Sequence, residues 1–139
     1  MVALFAVWMV VAYQIYMNTL GPRPPASVGA FLSDVFDTQA GLSMMVVGCA
    51  VGFVFAVAAL LISAFSFPLL LDHDVSVREA VKTSVGVAAK NPGVMALWGL
   101  VVAGGLVLGS IPALVGLIVV VPLLGHATWR LYRRAVAFE

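Results

Sequence analysis

The stretch PGVMALWGLVVAGGLVLGSIPALVGLIVVVPLL, residues 92–124, contains no charged residue and decides the topology of the chain. It is too long for one perpendicular membrane crossing, because a hydrocarbon core of about 30 Å needs about 20 residues of helix. It could form one long kinked helix, or two helices joined near residues 109–112. Basic residues lie on both sides of it, around Lys82 and between Arg130 and Arg134. Since basic residues accumulate on the cytoplasmic side of a membrane, we predict a hairpin that returns to its starting side.

Outward from the hairpin, two further apolar segments, residues 2–20 and 43–70, contain no charged residue. Together with the hairpin arms, residues 92–109 and 112–131, they predict an all-α polytopic membrane protein with about four transmembrane helices. Residues 1–139 would form a single membrane domain. Four crossings place both termini on the cytoplasmic side of a bacterial inner membrane.

The composition of the chain agrees with a membrane location. Of its 139 residues, 63% are hydrophobic and 9% are charged, against roughly 45–50% and about 25% in soluble domains. This balance excludes a water-soluble globule. The formal net charge of +1 leaves no basic surface for nucleic acid. Cys49, the single cysteine, lies in an apolar run, so the sequence predicts no intrachain disulfide and no thiolate metal cluster.

Two connecting segments carry an amphipathic pattern. After the helix-breaking residues 21–25, apolar side chains recur at helical spacing over residues 28–36. Further on, Ser76 followed by Glu79 is typical of a capping box, and an apolar stripe follows over residues 77–88. We predict two short helices that lie on the membrane surface.

Small residues spaced by four predict surfaces where helices pack closely. One such ridge lies in the second span and one continues across the tip of the hairpin; their members are Gly48, Gly52 and Ala56, and Gly105, Gly109 and Ala113. Basic side chains at the ends of the apolar segments are predicted to contact lipid headgroups. These are Arg78, Lys82, Arg130, Arg133 and Arg134.

Ionisable residues are almost absent from the predicted spans, which argues against an enzyme. His126 could ligate a haem iron or a chlorophyll magnesium, but we favour a histidine that is hydrogen-bonded at the interface. Residues 72–74, Asp-His-Asp, fit a local cluster at a helix end better than a metal site, because adjacent positions rarely converge on one ion. No nucleophile, base and acid are arranged for hydrolysis. We predict no catalytic residue, no metal and no cofactor.

Three motifs carry a resemblance to a known family: SFPLLLD from Ser66, KNPGVMALWGL from Lys90, and PLLGHATWRLYRR from Pro122. They are similar to the C-terminal half of an uncharacterised proteobacterial integral-membrane family, domain of unknown function 2189. Residues 1–65 resemble it only in layout. Members are about twice as long as this chain, which implies that the chain is the C-terminal half of a longer protein. Some members are labelled cytochrome c oxidase subunits, which implies an association with energy-converting complexes.

The sequence therefore predicts a non-catalytic accessory or structural transmembrane subunit of a bacterial energy-converting complex, in respiratory or photosynthetic electron transport. Its partners would be membrane lipids and other transmembrane subunits. Two alternatives stay open. One is half of a small-solute transporter or channel, for which Gln14 and Asn18 are the nearest approach to polar residues within a span. The other is a haem- or pigment-binding protein that uses His126.

Overall fold

A computed structural model describes residues 1–22 and 24–136 of the chain. These residues contain seven α-helices and no strand. The helices are α1 (Val2–Thr19), α2 (Val28–Asp37), α3 (Gln39–Ser63), α4 (Ser66–Asp72), α5 (Val77–Lys90), α6 (Pro92–Ser110) and α7 (Leu117–Ala135). The predicted fold class, an all-helical membrane protein with short amphipathic helices between its long ones, is confirmed.

Three helical segments of the described residues are long and apolar enough to cross a membrane: Val2–Thr19, Gln39–Asp72 and Pro92–Ser110. Large apolar side chains are exposed along all of them, and α1 has no buried residue. An apolar surface of this extent is unfavourable in water but normal against lipid. The lipid-facing character predicted from composition is thus visible on the surface of each long helix.

The fourth predicted span, residues 112–131, differs from the helix that the structure contains. Residues 111–116 form turns, and α7 begins only at Leu117. Ala113 and Leu114 have positive φ angles of 50° and 69°, which a right-handed helix cannot accommodate. Because α7 also carries arginines in its last turns, it is not among the three segments that qualify by length and composition.

The two arms of the hairpin nevertheless pack against each other as antiparallel helices. A Cβ atom built on Gly109 would lie 2.8 Å from Cδ2 of Leu117, and one built on Gly105 would lie 3.4 Å from Cγ1 of Val120. At the tip, a Cβ on Gly116 would lie 2.7 Å from the carbonyl oxygen of Gly109. Thus α7 returns along α6, as the distribution of basic residues requires.

Contacts divide the chain into two compact units, Met1–Ala59 and Leu60–Glu139, which are described separately. In the first unit, the corner between α2 and α3 is built around Gly41. The hydroxyl of Thr38 donates to the carbonyl oxygen of Asp34 and accepts the amide of Gly41 at 3.0 Å. Gly41 is buried against this last turn of α2.

In the second unit, α5 starts with the predicted capping box. The hydroxyl of Ser76 accepts the amide of Glu79, and the Glu79 carboxylate accepts the amide of Ser76. Hydrogen bonds from Ser76, its hydroxyl first, hold the pKa of Glu79 below its usual value. The apolar stripe of α5 does not simply face lipid: Ala80, Ser84 and Ala88 are buried in the protein.

The buried core of the second unit gathers where α4, α5, the start of α6 and the end of α7 meet. It consists of Ala64, Phe65, Leu69, Ala80, Ala88, Met95 and Tyr132. This core lies beside the charged segments of the chain, at the open end of the α6–α7 hairpin. The short helices therefore pack against the ends of the long ones.

Candidate functional site: an apolar groove and two polar links

An open groove of about 660 Å³ lies between the N-terminal half of α1 and one face of α3. Phe5 and Trp8 stand on the α1 side, with ring centroids 6.0 Å apart. The lining is almost entirely apolar; its residues are Met1, Val2, Leu4, Phe5, Trp8, Gly52, Phe55, Ala56 and Ala59. The groove can accept hydrocarbon or an apolar helix surface, and among the lining side chains only the indole of Trp8 carries an N–H donor.

The small-residue ridge of the second span borders this groove, and open space lies beside its two glycines. A Cβ atom built on Gly48 or Gly52 would meet no atom within 4 Å. Gly52 and Ala56 line the groove directly. Ala56 is itself exposed, so the ridge has room for a further contact within the first unit.

The second ridge is used within the chain. Gly105 and Gly109 pack against α7, with an added Cβ at Gly109 in conflict with Leu117. Ala113, predicted as the third member, lies instead in the turn with a φ of 50°, because α6 ends at Ser110. Gly116 also packs closely, against the backbone of Gly109, and was not predicted. Its position just after the proline-containing tip of the hairpin could have indicated it.

The first polar link joins the end of α4 to the end of α7 through Asp72. Its Oδ2 accepts a hydrogen bond from the hydroxyl of Tyr132 at 3.0 Å. The same oxygen lies 3.4 Å from Nη1 of Arg133 and 3.4 Å from Nε2 of His73. Because Arg133 is mostly exposed, its ion pair contributes little, and the bond from the buried tyrosine is the stronger tie.

Near the end of α7, the ring of the exposed Trp129 lies 5.5 Å from the ring of Tyr132. However, Tyr132 is only 1% exposed. Burial and, second, the hydrogen bond to Asp72 raise the pKa of Tyr132 to about 12. The sequence had assigned Asp72 to a local cluster with His73 and Asp74, and no local pattern indicates a partner 60 residues away.

The second polar link inserts Ser84 of α5 into the junction between α3 and α4. Its hydroxyl donates to the carbonyl oxygen of Leu61 at 2.7 Å and accepts the amide of Phe65 at 3.2 Å. In a continuous helix, that amide would bond to that carbonyl directly. The interruption lies at residues 64–65, one turn before Pro68, whose nitrogen cannot donate to the carbonyl of Ala64.

His126, the candidate cofactor ligand, is exposed on α7, and its Nδ1 lies 2.8 Å from the carbonyl oxygen of Pro122. Since a carbonyl oxygen only accepts, Nδ1 carries the proton and the bond stays within the helix. This is a geometry that a hydrogen-bonded interfacial histidine would have. Within the described residues, no three histidine, cysteine, aspartate or glutamate side chains come together to hold a metal ion.

The five predicted headgroup residues are all exposed. Arg78 and Lys82 lie on α5, and the others lie in the last turns of α7. The bond between Asp72 and Tyr132 brings the end of α7 to the end of α4, from which α5 follows after a short loop. The two basic groups therefore lie at the same end of the hairpin.

A family model described as a predicted integral membrane protein, DUF2189, matches residues 1–72. The chain belongs to this family. Of the three motifs that suggested DUF2189, only SFPLLLD, residues 66–72, falls in the matched region, whereas the segment expected to agree in layout alone supplies most of the match. The description of DUF2189 states a membrane location and no activity. No curated protein and no solved structure shows significant similarity to the chain.

Proposed function

We propose that this DUF2189 chain is a non-catalytic accessory subunit of a larger bacterial membrane complex, and that it binds a partner helix along the groove between α1 and α3. The observation that carries this proposal is the uncovered ridge of Gly48, Gly52 and Ala56 beside that groove. Small residues let the backbone of a second helix approach closely, and this contact drives helix association in lipid.

The energetics of glycine support a partner rather than lipid alone. Each glycine in a helix interior costs about 1 kcal/mol relative to alanine. Within the chain, Gly105 and Gly109 offset this cost through the close approach of α7. Gly48 and Gly52 have no such approach within the first unit, and unlike Gly104, which also faces open space, they form a row of small residues spaced by four with Ala56. A partner helix seated on the ridge would provide the missing contact.

The remaining chemistry of the chain supports a non-catalytic role. The Asp72 carboxylate bonds to Tyr132, and His126 bonds to its own helix. The side-chain amide of Asn18 donates to the backbone carbonyl of Gln14 at 2.7 Å, so the polar pair that suggested a transporter includes one side chain that is satisfied locally. No observation favours a transporter, and we do not propose one. The energy-converting character of the complex rests on the family resemblance.

Purification in mild detergent tests this proposal with a matched pair of variants. Gly52→Leu fills the ridge, whereas Gly104→Leu adds the same side chain to a glycine of α6 that also faces open space. We expect the wild-type protein and Gly104→Leu to retain a stoichiometric partner, and Gly52→Leu to lose it while remaining folded. Recovery of the wild-type protein alone, or an intact complex with Gly52→Leu, would contradict the proposal.

A further inference from the structure

The apolar segment Gln39–Asp72 contains 34 residues and is longer than a bilayer requires. As one continuous helix it would measure about 51 Å, against a hydrocarbon thickness of about 30 Å. The interruption at residues 64–65 separates α4 from α3 and lets α4 pack against α5. An interruption that turns α4 away from the direction of α3 would relieve this mismatch between the length of the segment and the membrane.

The interrupted form depends on a side chain from another helix. The hydroxyl of Ser84, which is fully buried, occupies the position between the carbonyl oxygen of Leu61 and the amide of Phe65. A side chain inserted into the i to i−4 ladder is a known cause of helix kinks. Pro68 adds a second cause, since its nitrogen cannot donate to Ala64.

The straightened form would satisfy the same polar groups. If Ser84 withdrew, the amide of Phe65 could donate directly to Leu61, and the serine hydroxyl could donate to the carbonyl of Ala80, four residues earlier in α5. Neither form leaves these buried groups without a partner. The hydrogen bonds at the junction therefore do not lock the segment in one form, and the bond from Tyr132 to Asp72 is the polar contact that straightening would strain.

Packing holds α4 on one side only. Phe67 and Leu71, on its other side, are already 54% and 82% exposed in the interrupted form. Phe65 and Leu69 are buried against the core beside the charged segments, so their exposure becomes less costly only in a bilayer thick enough to bring hydrocarbon to that level. A factor that favours a longer or a shorter helix can therefore shift the equilibrium between the two forms.

We propose that the junction between α3 and α4 is a hinge that responds to bilayer thickness. A thin bilayer favours the interrupted form with Ser84 inserted, and a thick bilayer favours the straightened segment. Mismatch supplies the differential free energy that any shift between two states requires. Through α4, the change would reach Asp72 and its link to α7.

A distance measurement within the second unit tests this hinge. Spin labels are attached at Leu71→Cys on α4 and Leu100→Cys on α6, both at exposed positions, in a Cys49→Ala background because the native cysteine is exposed. The protein is placed in nanodiscs of phosphatidylcholine with myristoleoyl, oleoyl or erucoyl chains. We expect the distance distribution from double electron–electron resonance to shift as the chains lengthen, with a second distance gaining population.

Two substitutions at Ser84 test whether its hydroxyl stabilises the interrupted form. Ser84→Ala removes the hydroxyl, so its distribution in the thin bilayer should move towards that of the wild-type protein in the thick one. Ser84→Thr keeps a hydroxyl and should follow the wild-type protein. An unchanged wild-type distribution in all three bilayers would overturn the proposal, as would a Ser84→Ala distribution equal to wild type at every thickness. If Ser84→Ala does not fold, the wild-type lipid series decides alone.

Discussion

Two glycines of the same helix, Gly41 and Gly48, have opposite surroundings. Gly41 lies against the backbone of α2, and a Cβ atom there would come within 2.5 Å of Cα of Val35. Gly48 faces open space. The first glycine is required by the fold of the chain, whereas the second is available for an interaction with another molecule.

Substitution of each glycine by alanine should separate these two roles. Gly41→Ala should destabilise the protein by about 1–3 kcal/mol, towards the upper end because backbone atoms cannot move aside as a side chain can. Gly48→Ala should be neutral or stabilising by up to about 1 kcal/mol through helix propensity. Thermal unfolding in detergent, followed by circular dichroism, measures both. Equal stabilities of the two variants would contradict this account of the α2–α3 corner.

Tyr132 makes the stability of the fold depend on pH in the alkaline range. Its pKa is raised from 10.0 to about 12, so the folded state favours the neutral phenol. The corresponding stabilisation is fully present below pH 10 and is lost as the pH rises through about 12. The difference in tyrosinate absorbance between the wild-type protein and Tyr132→Phe should show a midpoint near 12. A midpoint near 10 would mean that Tyr132 is neither buried nor bonded to Asp72.

At the scale of the element, hydropathy alone locates the long helices. The predicted segments 2–20 and 92–109 coincide with α1 and α6 within a residue. The capping box at Ser76 and the helix over residues 28–36 are equally local, since each depends on residues within one or two turns. These features could be predicted because their physical causes lie inside the segment that they describe.

The interruption of the second span could be predicted only in part. Pro68 is a local signal and indicates an ending near it. The insertion of Ser84 depends on a residue 19 positions away from Phe65, which periodicity cannot reveal. A serine between Ala80 and Ala88 on an otherwise apolar stripe was the available signal, but it does not name its partner.

The turn at the tip of the hairpin carries backbone strain that substitution can relieve. Ala113 has a φ of 50°, a conformation that costs an L-residue about 1–2 kcal/mol and glycine almost nothing. Ala113→Gly should therefore stabilise the protein by about 0.5–1 kcal/mol, after the entropic cost of glycine. Ala103→Gly, within the regular helix α6, should instead destabilise it by about 1 kcal/mol. The melting temperature should rise in Ala113→Gly and fall in Ala103→Gly. A lower melting temperature for Ala113→Gly would refute the strained turn.

For the whole molecule, we predict the orientation of the chain in the membrane. Four crossings would place Asp37 outside and Lys82 inside a bacterial inner membrane, as the positive-inside rule requires. In a Cys49→Ala background, a membrane-impermeant thiol reagent should label Asp37→Cys in intact cells. It should label Lys82→Cys only after permeabilisation. Labelling of both positions, or only of Lys82→Cys, in intact cells would reject this topology.

We propose above that the ridge of α3 and its groove bind a partner helix. Photocrosslinking in native membranes detects such a helix, with benzoylphenylalanine at Phe55 in the groove and at Leu100 on α6 as the control. We expect Phe55 to yield one discrete crosslinked protein that disappears in Gly52→Leu, and Leu100 to yield none. Lipid adducts alone at Phe55, or the same products from both positions, would contradict the claim.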